Sequence, residues 1–391
     1  MSLPKVLVVI GTRPEGIKLA PVIAALQARA PEVETRVALT GQHTDLMDQV
    51  LRVFGIPVSW DLGIMREGQD LYDVAEGCLN GLRAVVREYR PDLILVQGDT
   101  ASVFFGALVG FFERVKVGHV EAGLRSHDKW RPYPEEIFRR LTGVTADLHF
   151  SPTNEAAQNL RAEGVPAEQV FVTGNTVVDA LLQVVEKNVA VESADLARAL
   201  GAGKKLVLIT AHRRESFGAP MREAFGAIRA LADENDDALF FYPVHPNPEV
   251  QRAATEVLAG HERIVLSRPL GYFDLVQALR AAHFALTDSG GIQEEAPTFG
   301  TPVLVMREVT ERPEGIHAGI AELVGTDRSK IIELGSGLLK GELRRKMSHG
   351  GNPYGDGHAA ARIADIVIHD LTGNPCKTED WQSVPSPFTS V

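Results

Sequence analysis

Residues 287–314 read TDSGGIQEEAPTFGTPVLVMREVTERPE, and this stretch indicates how the chain around it folds. It continues an apolar run, Phe284–Leu286, that predicts a buried strand, and Pro302–Val305 predicts the next strand. Between them, the two glycines after Ser289 permit a sharp turn, and Ile292–Phe299 has the pattern of a helix. Such a strand, turn and helix start present backbone N–H groups that suit a phosphate. An ordinary strand-to-helix turn is the alternative interpretation.

Polar residues around this turn favour a binding site. Glu294 and Glu295 lie just inside the predicted helix, and residues 310–314, TERPE, follow the next strand. In open α/β sheets, ligands bind at the carboxyl ends of the strands. We therefore expect a ligand site in this part of the chain.

The composition is that of an ordinary soluble globular protein, and the length is that of an enzyme. The chain has 391 residues, of which 45% are hydrophobic and 23% charged, and a formal net charge of -11. The acidic balance argues against nucleic-acid or anionic-membrane partners, and two cysteines fit a reducing compartment. The N-terminal apolar run leads into a glycine turn and predicts a first strand, and no apolar stretch has the length of a membrane span. We expect a cytoplasmic protein of more than one domain.

Apolar runs of strand length alternate with helical patterns, which predicts α/β architecture with parallel sheets. One series of strands begins at Val6–Ile10, and a second series begins at Leu206–Thr210. We therefore expect two Rossmann-like doubly wound domains facing each other across a cleft. The predicted boundaries are an N-terminal domain at 1–175, a C-terminal domain at 176–370 and a loose tail at 371–391. The last helix before the tail could pack on either domain.

Carboxylates follow two strands of the first series directly. Asp99 comes after the strand at Leu93–Val96, and Glu121 comes after Lys116–Val120. Glu135 and Glu136 add further carboxylates from the same domain. Several carboxylates without a setting for a nucleophilic Ser or Cys indicate proton transfer or glycosidic-bond chemistry. For Asp99, an N-cap on the following helix is the alternative interpretation.

Basic side chains also lie near predicted strand ends. Arg13 and Lys18 flank a helix start after the first strand, and His212 and His245 follow strands of the second series. Contacts to phosphate or a proton shuttle are the functional interpretations, and solvated or structural side chains are the alternatives. His119 and Glu121 alternate on a strand, but no third residue has metal-ligand spacing, so we predict no metal site.

Taken in order, the motifs resemble those of the non-hydrolysing UDP-N-acetylglucosamine 2-epimerase family. The matching motifs, spread over residues 5–370, are GTRPEGIKLAP, GQH, QGDT, VGHVEAGLRS, PYPEE, LTG, TGNTVVDALL, TAHRRESFG, YPVHPNP, LTDSGGIQEEAP, TERPEG and NPYGDG. The resemblance implies a fold of the glycosyltransferase B type. It also implies interconversion of UDP-N-acetylglucosamine and UDP-N-acetylmannosamine without NAD or metal. The family reaction eliminates UDP to give 2-acetamidoglucal, and UDP then re-adds.

The same resemblance assigns roles to residues. It implies that Asp99, Glu121 and Glu135 are the catalytic carboxylates and that His212 acts near the diphosphate. Substrate contacts are implied for Arg13, Lys18, Ser289, Gly290, Gly291 and Arg312 at the phosphates, and for Glu295 at the ribose hydroxyls. The resemblance also implies a homodimer. It further implies that the product, UDP-N-acetylmannosamine, is supplied to cell-surface polysaccharide synthesis.

Some positions concern a second nucleotide-sugar site or depart from the family pattern. Residues that match the family's activator site are Gln42, His43, Glu136, Arg213 and His245. Thr44 and Asp45 replace the usual residues there, and an acidic Asp45 disfavours a diphosphate. Leu270 and Leu275 replace residues that contact uracil. A glycosyltransferase of the same fold and a catalytically idle nucleotide-sugar sensor are the rival interpretations.

Overall fold

Parallel strands alternate with helices throughout the computed structural model. It describes residues 3–41, 45–66, 68–348 and 351–382, without the side chains of residues 45 and 46. The chain divides into two units, and we call Met1–Gln183 with Gly355–Gln382 the first unit and Val184–Tyr354 the second unit.

The first unit contains a seven-stranded parallel sheet in the order β3-β2-β1-β4-β5-β6-β7. Its strands are β1 (Lys5–Ile10), β2 (Glu34–Leu39), β3 (Trp60–Asp61), β4 (Leu93–Gln97), β5 (Lys116–Val120), β6 (Leu148–Ser151) and β7 (Val170–Val172). The helices that alternate with them are α1 (Arg13–Gln27), α2 (Asp45–Phe54), α3 (Leu71–Tyr89), α4 (Ala101–Glu113), α5 (Glu135–Thr145), α6 (Asn154–Ala162) and α7 (Thr176–Glu186), the last of which continues into the second unit.

The second unit contains a six-stranded parallel sheet in the order β10-β9-β8-β11-β12-β13. Its strands are β8 (Lys205–Thr210), β9 (Ala238–Pro243), β10 (Ile264–Ser267), β11 (Ala282–Thr287), β12 (Val303–Val305) and β13 (Ala321–Leu323). Its helices are α8 (Ala194–Leu200), α9 (Ala219–Glu234), α10 (Pro248–Leu258), α11 (Tyr272–Ala281), α12 (Gly290–Glu295), α13 (Pro313–His317), α14 (Arg328–Lys340) and α15 (Glu342–Ser348). The final helix, α16 (Ala359–Thr372), belongs to the first unit and packs against α1.

Each sheet is buried on both faces, which explains why its strands are continuous apolar runs. Alternate residues of β1 point to opposite faces. Val8 and Ile10 belong to an apolar cluster with residues of α1 and α16, whereas Leu7 and Val9 belong to a cluster with residues of α3 and α4. The two doubly wound sheets confirm the predicted α/β class.

Both sheets have a switch point where the connections leave to opposite faces. In the first unit it lies between β1 and β4, and in the second unit between β8 and β11, because strand order reverses there. Ligands of doubly wound sheets bind beside the carboxyl ends of the strands at such points. The two switch points therefore locate the candidate site residues.

The described part of the predicted tail contacts the first unit. Helix α16 ends at Thr372, and beyond it the backbone N–H of Trp381 donates to the carbonyl of Val172 at 2.7 Å. The Trp381 side chain is 7% exposed and packs in an apolar cluster with Leu160 and Val170. Trp381 thus attaches the described residues after α16 to the sheet edge at β7, and the predicted loose tail stays a prediction.

None of the helices in the described ranges combines the length and the apolar character that a membrane span requires.

Candidate functional site

Glu15 connects the two turns at the switch point of the first unit. Its side chain, in the first turn of α1, is almost completely buried at 2% exposed. One carboxylate oxygen accepts from the backbone N–H of Gly11 at 2.6 Å, and the other accepts from the hydroxyls of Thr12 and Thr100, both at 2.8 Å. Burial raises the pKa of Glu15 to about 7, against the lowering effect of these hydrogen bonds. The sequence did not predict Glu15 as a site residue, because its hydrogen-bond partner Thr100 lies 85 positions away along the chain.

Gly11 allows the turn after β1 to approach α4 closely. A Cβ atom at this position would lie 2.2 Å from the Ser102 hydroxyl oxygen, so no other residue fits without displacing α4. The turn places Arg13, which is partly buried, at the first residue of α1. The predicted phosphate contact Arg13 thus lies at the switch point.

Lys18 and Glu121 form an ion pair that brings two predicted site residues together. Lys18 Nζ lies 2.7 and 2.9 Å from the two carboxylate oxygens of Glu121, and the Gln97 amide also donates to that carboxylate. Glu121 has a φ of 65°, in the left-handed region that non-glycine residues rarely adopt. Backbone strain of this kind is concentrated at functional sites. The carboxylate is therefore fixed in place after β5.

Asp99 accepts a hydrogen bond from Arg139 of α5. The N-cap of α4 is Thr100, whose side chain makes no capping hydrogen bond. Gly98, the residue before Asp99, has a φ of 88°. The Gly98 carbonyl lies 2.7 Å from Nε2 of the buried His119. Asp99 thus does not occupy the N-cap position that the alternative interpretation gave it. Arg139 was not among the predicted site residues.

Glu135 and Glu136 begin α5 but have different surroundings. Glu136 is fully buried and accepts from the backbone N–H groups of Ser126 and His127 at 3.0 and 3.3 Å. Glu135 Oε2 is buried and accepts no hydrogen bond within the described ranges. A buried polar atom without a partner costs free energy, so Glu135 is available to a ligand. Glu136 instead fixes the loop before α5.

His212 lies at the switch point of the second unit, in the turn after β8. Asp288, directly after β11, accepts the backbone N–H groups of His212 and Arg213 at 2.7 and 2.8 Å. The His212 ring lies against the ring of His245, with centroids 5.4 Å apart. Burial lowers the pKa of His212. The neighbouring Arg213 and His245 lower this pKa further, and Asp288 opposes the lowering. Asp288 lies within the LTDSGGIQEEAP motif but was not predicted as a site residue.

Arg312 lies against the turn between β11 and α12. A Cβ atom on Gly290 would be 3.2 Å from the guanidinium carbon of Arg312, so glycine leaves room for the arginine. Arg312 Nε donates to the buried carboxylate of Glu294 at 2.7 Å. Glu294 therefore orients the guanidinium, and the predicted diphosphate contact and the glycine turn are adjacent.

The remaining predicted contacts of the second unit lie on the same short helix. Ser289 is the N-cap of α12 and makes no side-chain capping bond. A Cβ atom on Gly291 would lie 3.8 Å from the Ser289 hydroxyl and 3.9 Å from a carboxylate oxygen of Glu295. Leu270 and Leu275 are partly buried against the apolar cluster on one face of this sheet.

The residues predicted for a second nucleotide-sugar site are only partly described. Gln42, His43 and Thr44 lie outside the described residues, as does the side chain of Asp45. His245 Nδ1 accepts from the backbone N–H of Asn247 at 3.2 Å. Glu136 and Arg213 lie in different units. The second site stays a prediction.

Over the ranges that the structure describes, no three His, Cys, Asp or Glu side chains are grouped in a way that could hold a metal ion.

Comparisons with known proteins give one consistent family. The model of the family described as UDP-N-acetylglucosamine 2-epimerase matches residues 24–368. The UDP-N-acetylglucosamine 2-epimerase of Bacillus subtilis is 45% identical over 365 residues, 93% of this chain and 95% of that protein. The Yersinia pestis enzyme of the same name is 47% identical over 375 residues, 94% of this chain and all of that protein. The crystal structure of the Neisseria meningitidis UDP-GlcNAc 2-epimerase bound to UDP-GlcNAc has a TM-score of 0.83 and 40% identity, over 93% of this chain and 99% of that chain.

Proposed function

The chain belongs to the UDP-N-acetylglucosamine 2-epimerase family, and on that basis we propose how its residues carry out the reaction. The predicted family, the glycosyltransferase B type of fold and the enzyme class, an isomerase, are confirmed. The activity is epimerisation of UDP-N-acetylglucosamine. The residue roles and the order of bond changes below are our proposal.

The reaction begins with loss of the proton on carbon 2 to a carboxylate of the first unit. The C2–H electron pair forms the C1=C2 double bond, and the C1–O bond breaks with its electrons going to the β-phosphate of UDP. The intermediate is 2-acetamidoglucal. UDP then re-adds at carbon 1 while an acid delivers a proton to the opposite face of carbon 2, which gives UDP-N-acetylmannosamine. A base and an acid on opposite faces require more than one titratable group.

The observation that carries this proposal is the set of three carboxylates with different surroundings. Asp99 contacts Arg139, Glu121 contacts Lys18, and Glu135 has a buried oxygen that accepts no hydrogen bond from any described residue. Carboxyl groups whose environments differ can divide the acid and base roles between them. Asp99, Glu121 and Glu135 are therefore the proposed catalytic carboxylates.

UDP is the leaving group, and the second unit supplies groups suited to it. Negative charge develops on the β-phosphate as the C1–O bond breaks, and preorganised cations stabilise such charge. We assign this role to His212 and to Arg312, which Glu294 orients. Ser289, Gly290 and Gly291 are proposed to contact the phosphates through backbone N–H groups, and Glu295 to contact the ribose hydroxyls. Arg13 and Lys18 are proposed as further phosphate contacts from the first unit.

Carboxamide variants test the assignment. Asp99→Asn, Glu121→Gln and Glu135→Gln each keep the side-chain shape but cannot take up or release the proton. We expect each to lower kcat at least 100-fold, the size typical of acid–base groups. The Kd for UDP, measured by calorimetry, should change little.

Glu155→Gln is the matched control, because Glu155 is an exposed carboxylate at the start of α6. Near-wild-type kcat in all three test variants would refute their catalytic roles.

We propose that the chain forms a homodimer through an apolar surface on α4 and α5. Phe111 and Phe112 are both 63% exposed and Val144 is 82% exposed. The two helices pack together, with the rings of Phe104 and Phe138 5.3 Å apart. Exposed apolar patches of this kind mark interaction surfaces. Sedimentation velocity should show a dimer, and Val144→Asp should dissociate it. The control is Val309→Asp, a change at an exposed valine of the second unit, which should leave the dimer intact. A monomeric wild type would contradict the proposal.

The product is an activated N-acetylmannosamine, the form in which a glycosyltransferase uses the sugar. We propose that the enzyme acts in the cytoplasm and supplies cell-surface polysaccharide synthesis. Deletion of the gene should remove sugars derived from N-acetylmannosamine from the polysaccharide, and their unchanged content would exclude this role.

A further inference from the structure

Asp288 is placed to act on His212 through two different oxygens. The residue is 1% exposed and follows β11, directly across the switch point from the turn that carries His212. Its Oδ2 accepts the backbone N–H groups of His212 and Arg213. Its Oδ1 lies 3.2 Å from Nδ1 of the His212 ring. The carboxylate thus contacts both the backbone and the ring of the same residue.

The second oxygen has no other use among the described residues. Asp288 Oδ1 is buried and accepts no aligned hydrogen bond there, although Nδ1 of His212 is within reach. A proton on Nδ1 directed at Oδ1 would satisfy this atom. Because an unpaired buried acceptor is costly, the ring orientation with a proton on Nδ1 is favoured.

We propose that Asp288 is a positioning residue that orients the His212 imidazole and stabilises its cationic form. With Nδ1 directed to Asp288, Nε2 lies on the far side of the ring, and the side chain is 34% exposed. Neutral His212 then has no proton on Nε2, whereas the imidazolium donates from Nε2 to an oxyanion. His212 thus acts on the diphosphate as a cation, because the negative charge of a bound diphosphate favours the imidazolium.

The charges around His212 explain why a carboxylate is needed. Arg213 on the same turn and His245 after β9 both disfavour a cation here, and so does burial; together they lower the pKa of the ring. Asp288 is the group that opposes them. Its effect on the cation resembles that of the aspartate in a serine-protease triad, where the carboxylate fixes the tautomer and stabilises the imidazolium.

The substitution Asp288→Asn separates the two functions of the carboxylate. The amide oxygen can still accept the two backbone N–H groups, whereas the amide nitrogen then faces Nδ1 and donates to it. The ring must become an Nδ1 acceptor, and the cation is disfavoured. We expect kcat to fall at least tenfold with a smaller change in KM, and the alkaline limb of the kcat profile to move to lower pH.

A double-mutant cycle distinguishes this role from a purely structural one. If Asp288 acts through His212, Asp288→Asn should cost no further activity in a His212→Asn background. Equal losses in both backgrounds would overturn the proposal. Asp327→Asn is the matched control, because Asp327 also accepts two backbone N–H groups but is exposed at the start of α14, and kcat should be unchanged.

Nitrogen NMR of the wild-type imidazole tests the geometry directly. The His212 resonances are identified by their loss in His212→Asn, and the neutral ring should carry its proton on Nδ1. A proton on Nε2 would overturn the proposal even if no Asp288 variant folds. The proposal rests on the proposed role of His212 at the diphosphate, but this measurement does not. If the tautomer is as expected but His212→Asn leaves kcat unchanged, His212 has no catalytic role. The role inferred for Asp288 is then overturned as well, although the contact between the two side chains stands.

Discussion

Glu15 is a carboxylate almost out of contact with water, and its ionisation should affect stability. Burial raises its folded-state pKa from 4.5 to about 7. Between these pH values the folded chain retains a proton that the unfolded chain has released, so the free energy of unfolding falls as the pH rises. If the whole shift acts, the loss is roughly 3 kcal/mol between pH 4.5 and 7.

The variant Glu15→Gln should lack this fall, because glutamine does not ionise. Relative to the wild type, its stability should improve between pH 5 and pH 7.5. All three tryptophans, Trp60, Trp130 and Trp381, belong to the first unit, so urea unfolding followed by fluorescence reports on the unit that contains Glu15. Glu155→Gln should keep the wild-type pH dependence. A constant difference between Glu15→Gln and the wild type at every pH would contradict the pKa assignment.

At the residue scale, the sequence identified side chains that directly follow a strand. Asp99, Glu121 and His212 lie where the carboxyl ends of β4, β5 and β8 place them. The partners that fix them could not be found in this way, because contacts such as Arg139 with Asp99 join distant positions. Glu15 and Asp288 also make contacts between distant positions, because each joins two turns across the switch point of its own sheet.

At the scale of elements, Trp381 attaches the segment after α16 to the edge strand β7. Its indole packs in a cluster with Ala157 and Val172, and the Asp380 carboxylate accepts the backbone N–H of Val172 at 3.0 Å. An unpaired edge strand exposes backbone groups, which this segment covers.

Replacement of the indole tests this attachment. Trp381→Ala should lower the free energy of unfolding of the first unit by about 3 kcal/mol, the usual minimum for a buried tryptophan. Trp130→Ala is the control, since Trp130 is 63% exposed and its loss should cost little. Both variants keep Trp60 as a fluorescent probe for urea unfolding. Equal stability of the two variants would show that the segment does not stabilise the sheet.

Strands with an apolar run were predictable from the sequence, and two short strands without such a run were not. The expected strands at Val6–Ile10 and Leu206–Thr210 agree with β1 and β8 to within a residue. The strands β3 and β13 have two and three residues and no apolar run of strand length. They exist because they pair with β2 and β12, and such pairing is a property of the assembled sheet.

At the scale of the whole molecule, the two units repeat one strand order. If the strands of each sheet are numbered from 1 in chain order, both sheets have the spatial order 3-2-1-4-5-6. The first unit adds a seventh strand beside strand 6. The alternation of strands and helices predicted two such sheets. It could not show that α16 returns to α1, because that contact joins the two ends of the chain. The predicted boundaries and the dimer stay predictions.

We propose that epimerisation proceeds by removal of the carbon-2 proton and its replacement from the opposite face. Wild-type enzyme and UDP-N-acetylglucosamine should be incubated in heavy water, and carbon 2 followed by NMR. We predict deuterium at carbon 2 of the UDP-N-acetylmannosamine formed and, as the reaction reverses, of the recovered substrate. UDP-N-acetylmannosamine that retains the original proton at carbon 2 would contradict the account.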